Sequence, residues 1–84
     1  MLGGAIKINN PVNGIMNMTL TTAENSATTL VVYNLSGQQV FNEKIYCRKG
    51  TNTYSKDFSV LPPGLYSVSV IADNWKDSEK FIKL

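Results

Sequence analysis

The stretch Leu61-Pro62-Pro63-Gly64-Leu65-Tyr66-Ser67-Val68-Ser69-Val70 constrains the fold more than any other part of the chain. Two consecutive prolines hold φ at about −65° and remove two backbone donors, so neither a helix nor a central strand runs through them. Gly64 follows, without a Cβ and suited to positive φ. From Leu65 onward the side chains alternate: Tyr66, Val68, Val70 and Ala72 share one face, Ser67 and Ser69 the other. A period of two marks a half-buried strand.

Turn signals recur roughly every 8–12 residues along the rest of the chain, the rhythm of a β-sandwich. A first strand over Ala5–Ile8 is closed by Asn9-Asn10-Pro11. Asn13-Gly14 opens a second, in which Met16, Met18 and Leu20 alternate with Asn17 and Thr19. Thr21–Ser26 reads as a polar loop. Thr28–Asn34 is a near-continuous apolar run, expected to be a central strand buried on both faces. Ser36-Gly37 turns it back as a hairpin into Gln38–Tyr46. Neither face of that strand is clean, which predicts a bulge or an edge position. Thr53–Phe58 forms the fifth strand, and Val60-Leu61 are expected to pack just before the proline turn. Leu65–Ala72 is the sixth strand and Ser78–Lys83 the seventh, separated by a polar turn over Asp73–Asp77 that holds Trp75. Helical periodicity is absent throughout. The predicted fold is all-β, an Ig-like antiparallel sandwich of about seven strands. Residues 1–4 read as an N-terminal extension or a remnant of expression, and 5–84 as the domain.

The chemistry in the sequence is sparse. With no histidine among 84 residues, the commonest general base and the usual activator of a serine or cysteine nucleophile are missing. Cys47 is the single cysteine and reads as a small apolar residue on a strand. Asp73-Asn74-Trp75-Lys76-Asp77 is the one oxygen-rich loop, but it lacks the ligand rhythm of a calcium loop. Apart from the Gly3-Gly4 pair the glycines are isolated turn residues, so no phosphate cradle is formed. The net charge is only +2, with basic residues scattered and only Arg48-Lys49 adjacent. That distribution argues against a nucleic-acid footprint. These features predict a non-catalytic domain with no cofactor and no metal.

Taken in order, the motifs resemble the C-terminal sorting domain of type IX secretion cargo in Bacteroidetes, the type A signal. Asn10-Pro11-Val12 is similar to that family's opening, and Leu30–Val40 to its strand, turn and strand hairpin. Asp57–Tyr66 resembles its L-x-x-G-x-Y signature, and Lys80-Phe81-Ile82-Lys83 its basic terminal strand. The resemblance implies a domain recognised by an outer-membrane type IX translocon and shuttle proteins. A cysteine-protease sortase would then remove it as the cargo is attached to the surface or released. It further implies export, with the periplasm in transit and the cell surface or extracellular space as destination. Recognition is expected at Pro63, Gly64, Tyr66, Lys80, Phe81, Ile82 and Lys83. Lys80 and Lys83 are expected on an open terminal edge that can accept another strand or pair with a second copy. The competing expectation is a carbohydrate-binding or spacer module, with Trp75 and Tyr46 as a sugar platform.

Overall fold

The computed structural model describes residues 3–84 and contains seven strands in two antiparallel sheets. They are β1 (Gly4–Ile8), β2 (Ile15–Thr22), β3 (Ser26–Asn34), β4 (Gln39–Cys47), β5 (Gly50–Asp57), β6 (Gly64–Ile71) and β7 (Lys76–Lys83). One sheet has the order β1-β2-β5, the other β4-β3-β6-β7. The all-β sandwich read from the sequence is the fold observed.

The alternating patterns become the core. Met16, Met18 and Leu20 of β2 face Leu30 and Val32 of β3 and Val68 and Val70 of β6, all essentially without solvent contact. β3 is central, and Val31 is buried on its outward face as well. β4 is both an edge strand and irregular, its register with β3 slipping between Val32 and Tyr33. At the hairpin tip the Asn34 Oδ1 accepts the backbone N–H groups of Ser36 and Gln38, each at 3.0 Å. Gly37 takes φ +84° there, a conformation that fits glycine.

Four expectations need correction. The loop expected over Thr21–Ser26 shrinks to residues 23–25: β2 runs through Thr22 and β3 starts at Ser26, both buried. The Thr22 hydroxyl finds the Glu24 carbonyl at 3.0 Å, so a polar side chain is accommodated inside. Val60 does not pack, being 89% exposed; only Leu61 of that pair meets the core. β7 begins at Lys76, two residues before the expected start. Gly4 is part of β1, opposite Thr22, and the Gly3 carbonyl accepts the Ala23 N–H, so the sheet reaches into the span read as an extension. Met1 and Leu2, the rest of that span, lie outside the described residues.

Between β1 and β2 the chain detours through a cis Asn10–Pro11 bond. The detour carries Val12 across to the other sheet, where it forms a parallel bridge with Lys83. The Val12 N–H donates to the Ile82 carbonyl at 2.7 Å, and the Leu84 N–H to the Val12 carbonyl at 2.9 Å. Val12 is wholly buried.

Candidate functional site

The proline turn is built around Tyr66. At the start of β6 its hydroxyl donates to the Pro62 carbonyl four residues upstream, at 2.6 Å. This is the tyrosine corner of Ig-like sandwiches, which pins the crossing between sheets. Gly64 has φ +157°, where side-chain-bearing residues rarely sit. The Tyr66 ring stacks on Phe81, its register partner on β7, with centroids 5.6 Å apart. Tyr66 and Phe81 are therefore internal struts.

Their burial divides the expected recognition residues. Pro63, Gly64, Lys80 and Ile82 are exposed. Tyr66, Phe81 and Lys83 are not; Lys83 is only 6% exposed and its Nζ donates to the Leu84 oxygen at 2.7 Å. Nor is the terminal edge open along its length. Ile82 is tied by Val12, and its N–H donates to the Asn10 Oδ1 at 3.0 Å. The pairing of Lys80 and Lys83 on an open edge is thus corrected: Asn10–Val12 lies over the end of that edge, and the two lysines point to opposite faces.

What surfaces instead is a shallow cleft of about 200 Å³ on the outer face of the four-stranded sheet. Asn34, Leu35, Leu65, Tyr66, Ser67 and Lys80 line it, and an adjoining hollow reaches Pro63 and Gly64. Leu35 at the hairpin tip is 78% exposed, Leu65 40%, and Ile82, register partner of Leu65, 49%. An apolar cluster thus flanks one cation, Lys80. Sequence reasoning missed Leu35 and Leu65. The outward parity of Leu65 was available, but the nearness of the β3–β4 turn was not.

Trp75 is not a platform. It packs against the core edge, its indole N–H bonded to the Thr22 hydroxyl at 3.1 Å. Tyr46 is 65% exposed but lies on β4, away from Trp75. Cys47 is buried, as its strand position implies. Among the described residues no group of three or more His, Cys, Asp or Glu side chains gathers to hold a metal.

The family model of the secretion system C-terminal sorting domain matches residues 9–84. The chain belongs to that family. This type IX sorting domain is a C-terminal signal that engages the secretion system and directs export through the outer membrane, to the cell surface or the extracellular space. Its fold is shared more widely. A superoxide reductase (neelaredoxin) from Ignicoccus hospitalis matches 98% of this chain and 80% of its own, at 8% identity and a TM-score of 0.65. A CARDB domain from Pyrococcus furiosus, solved in complex with di-metal ions, matches 100% of this chain and 88% of its own, at 14% identity and a TM-score of 0.59. At such identities the likeness is one of fold alone. No curated protein matches the chain.

Proposed function

We propose that the secretion machinery reads this sorting domain at the cleft between the β3–β4 turn and the start of β6. The reading surface comprises Leu35, Pro63, Gly64, Leu65, Lys80 and Ile82. Tyr66, Phe81 and Lys83 act indirectly, by holding that surface in shape. The observation that carries this reading is the exposed apolar cluster of Leu35, Leu65 and Ile82 beside Lys80, on the side of the sandwich that bears the family signature. Apolar side chains grouped at a rim with a single charge are the kind of patch that partners cover. An outer-membrane translocon and its shuttle proteins hold the domain after transit through the periplasm, and a cysteine-protease sortase then removes it.

The test is a reporter carrying an export signal and this chain, expressed in a type IX host. Leu65→Glu should cut surface delivery while leaving the thermal melt of the isolated domain unchanged. Deleting Phe81–Leu84 would be uninformative, since it removes a core side chain. Delivery of Leu65→Glu and Lys80→Glu at the level of the parent sequence would overturn the reading. The mass of the delivered reporter checks removal: a product still carrying the sandwich would rule out the sortase step.

A further inference from the structure

The bonds of Ile82 to Asn10 and Val12 fix which way backbone groups point across the whole four-stranded sheet. In antiparallel pairs successive residues turn their N–H and C=O groups to opposite sides. Ile82 turns outward, so Phe81, Glu79 and Asp77 bond to β6 through Tyr66, Val68 and Val70. Carried through β6 and β3 by their registers, the alternation turns Phe41, Glu43 and Ile45 toward β3. Asn42, Lys44 and Tyr46 therefore direct N–H and C=O groups away from the sheet.

Such groups are met in part at two of the four edges. On β7, Ile82 and Leu84 meet Asn10–Val12. On β1, the Ile6 N–H donates to the Asp77 carboxylate at 3.1 Å. The remaining edges, β4 and β5, lie together on the opposite side of the sandwich. By the same alternation β5 presents Thr51, Thr53, Ser55 and Asp57, without an apolar anchor. β4 presents Asn42, Lys44 and Tyr46, with Val40 beside them 38% exposed.

Charge separates the two sides as well. Residues 39–57 carry Lys44, Arg48, Lys49 and Lys56 against only Glu43 and Asp57. The other four basic residues, Lys7, Lys76, Lys80 and Lys83, are matched by Glu24, Asp73, Asp77 and Glu79. The whole net charge of +2 thus belongs to the β4–β5 side, although the sequence scatters its cations. Glu43 is also turned inward, receiving the Tyr54 hydroxyl, which leaves Lys44 as the charge on the outer face of β4.

We propose that the open edge of β4 accepts an acidic extended strand from a partner protein, at a second docking surface separate from the cleft. Main-chain groups of Asn42, Lys44 and Tyr46 bond the added strand, and side-chain pairing sets its chemistry. An acidic residue pairs with Lys44, while Tyr46 and Val40 receive β-branched or aromatic neighbours. A lysine on an edge ordinarily deters pairing between identical copies. Here Lys44 does so while favouring an incoming strand of opposite charge. A two-fold β4–β4 pairing centred at Glu43 would oppose that carboxylate to its twin, which disfavours a second copy as the occupant.

The proposal is tested in the same type IX host, with the unaltered reporter first shown to be exported, which keeps it distinct from the cleft reading. Lys44→Glu should lower delivery about tenfold, the cost of replacing an attractive cross-strand pair by a repulsive one, and Lys44→Arg should preserve it. Asn42→Pro removes an outward N–H and should also lower delivery, whereas Thr53→Pro, its counterpart on β5, should not. Each variant is first shown to melt like the parent domain. A photoreactive phenylalanine analogue at position 46 should crosslink in living cells to an acidic extended segment of another protein. Parent-level delivery of both Lys44→Glu and Asn42→Pro would overturn the proposal. So would sensitivity to Lys44→Glu without Asn42→Pro, the mark of an anionic glycan, or a crosslink to a second reporter or to a segment that is not acidic.

Discussion

The two open sides of the sandwich are closed by different means. On the β1–β7 side the backbone does the joining: Val12 crosses from one sheet to bond Ile82 and Leu84 of the other, and Asp77 reaches back to Ile6. Trp75 covers the same seam and lies against Gly4. On the β4–β5 side the chain crosses once, at Arg48-Lys49, and along the rest of the two strands side chains span the gap. Tyr54 bonds Glu43, Phe41 meets Phe58 edge to face at 5.2 Å, and the Lys56 ammonium sits 5.1 Å from the Phe41 ring centroid. The difference shows how a small domain without disulfides can seal one edge and leave another available. A sealed edge uses backbone groups that a partner would otherwise reach. An edge bridged by side chains keeps those groups outward.

The contrast is broken most severely from the sealed side. Phe81→Ala deletes a wholly buried ring stacked on Tyr66. Chemical denaturation should record a loss of about 3–5 kcal/mol, a large part of the stability of a domain of this size. A milder disturbance of the same seam is Gly4→Ala. Its new Cβ would collide with the Trp75 ring and fall 2.6 Å from the backbone carbonyl oxygen of Thr21, so the ring and the strand must both give way. The expected loss is about 1–3 kcal/mol, with a red shift of Trp75 emission as the indole becomes wetter. An unchanged emission spectrum would mean that Trp75 does not cover the seam in solution.

The smallest effect is expected on the side-chain-bridged side, and it depends on pH. Burial first, then the bond to the Glu43 carboxylate and its charge, push the Tyr54 phenol well above its ordinary range. A group with a raised folded-state pKa contributes stability that is fully present below its unfolded value, about 10 for tyrosine. That contribution is lost as pH rises through the higher folded-state value. Tyr54→Phe should cost about 1 kcal/mol or less at neutral pH. It should also flatten the alkaline decline of stability above about pH 10, as followed by thermal melts across pH. An alkaline limb unchanged by the substitution would detach Tyr54 from Glu43 in solution.

Much of the fold was legible because it is local. Alternation in Met16–Leu20 and Tyr66–Ala72 announces strands, and Asn34 with Gly37 announces a turn that uses the Asn side chain and a positive φ. The interruption of pattern in Gln38–Tyr46 marks an irregular edge strand, as observed. What the sequence concealed is set by contacts between distant positions. Val12 belongs to no periodic run, and only its meeting with Lys83 makes it core. Lys83 reads as a surface cation, but its place opposite Gly64 buries its stem. Thr22 and Ser26 look like loop residues because their buried hydroxyls are satisfied by partners that no pattern reveals. The proposed recognition surface suffered the same limit. The motif around Gly64 and Tyr66 was visible, but its tyrosine serves the corner, while Leu35 and Leu65 come together only when β3 and β6 pair.

The bridge at Val12 also couples the sandwich to synthesis order. Asn10–Val12 is made early, yet its backbone partners at Ile82 and Leu84 lie some seventy positions later. A growing polypeptide can zip β2 to β5 and β3 to β4 while this seam still gapes. Only a copy translated through β7 roofs over the hydrophobic interior, so closure of the seam waits on the synthesis of that strand.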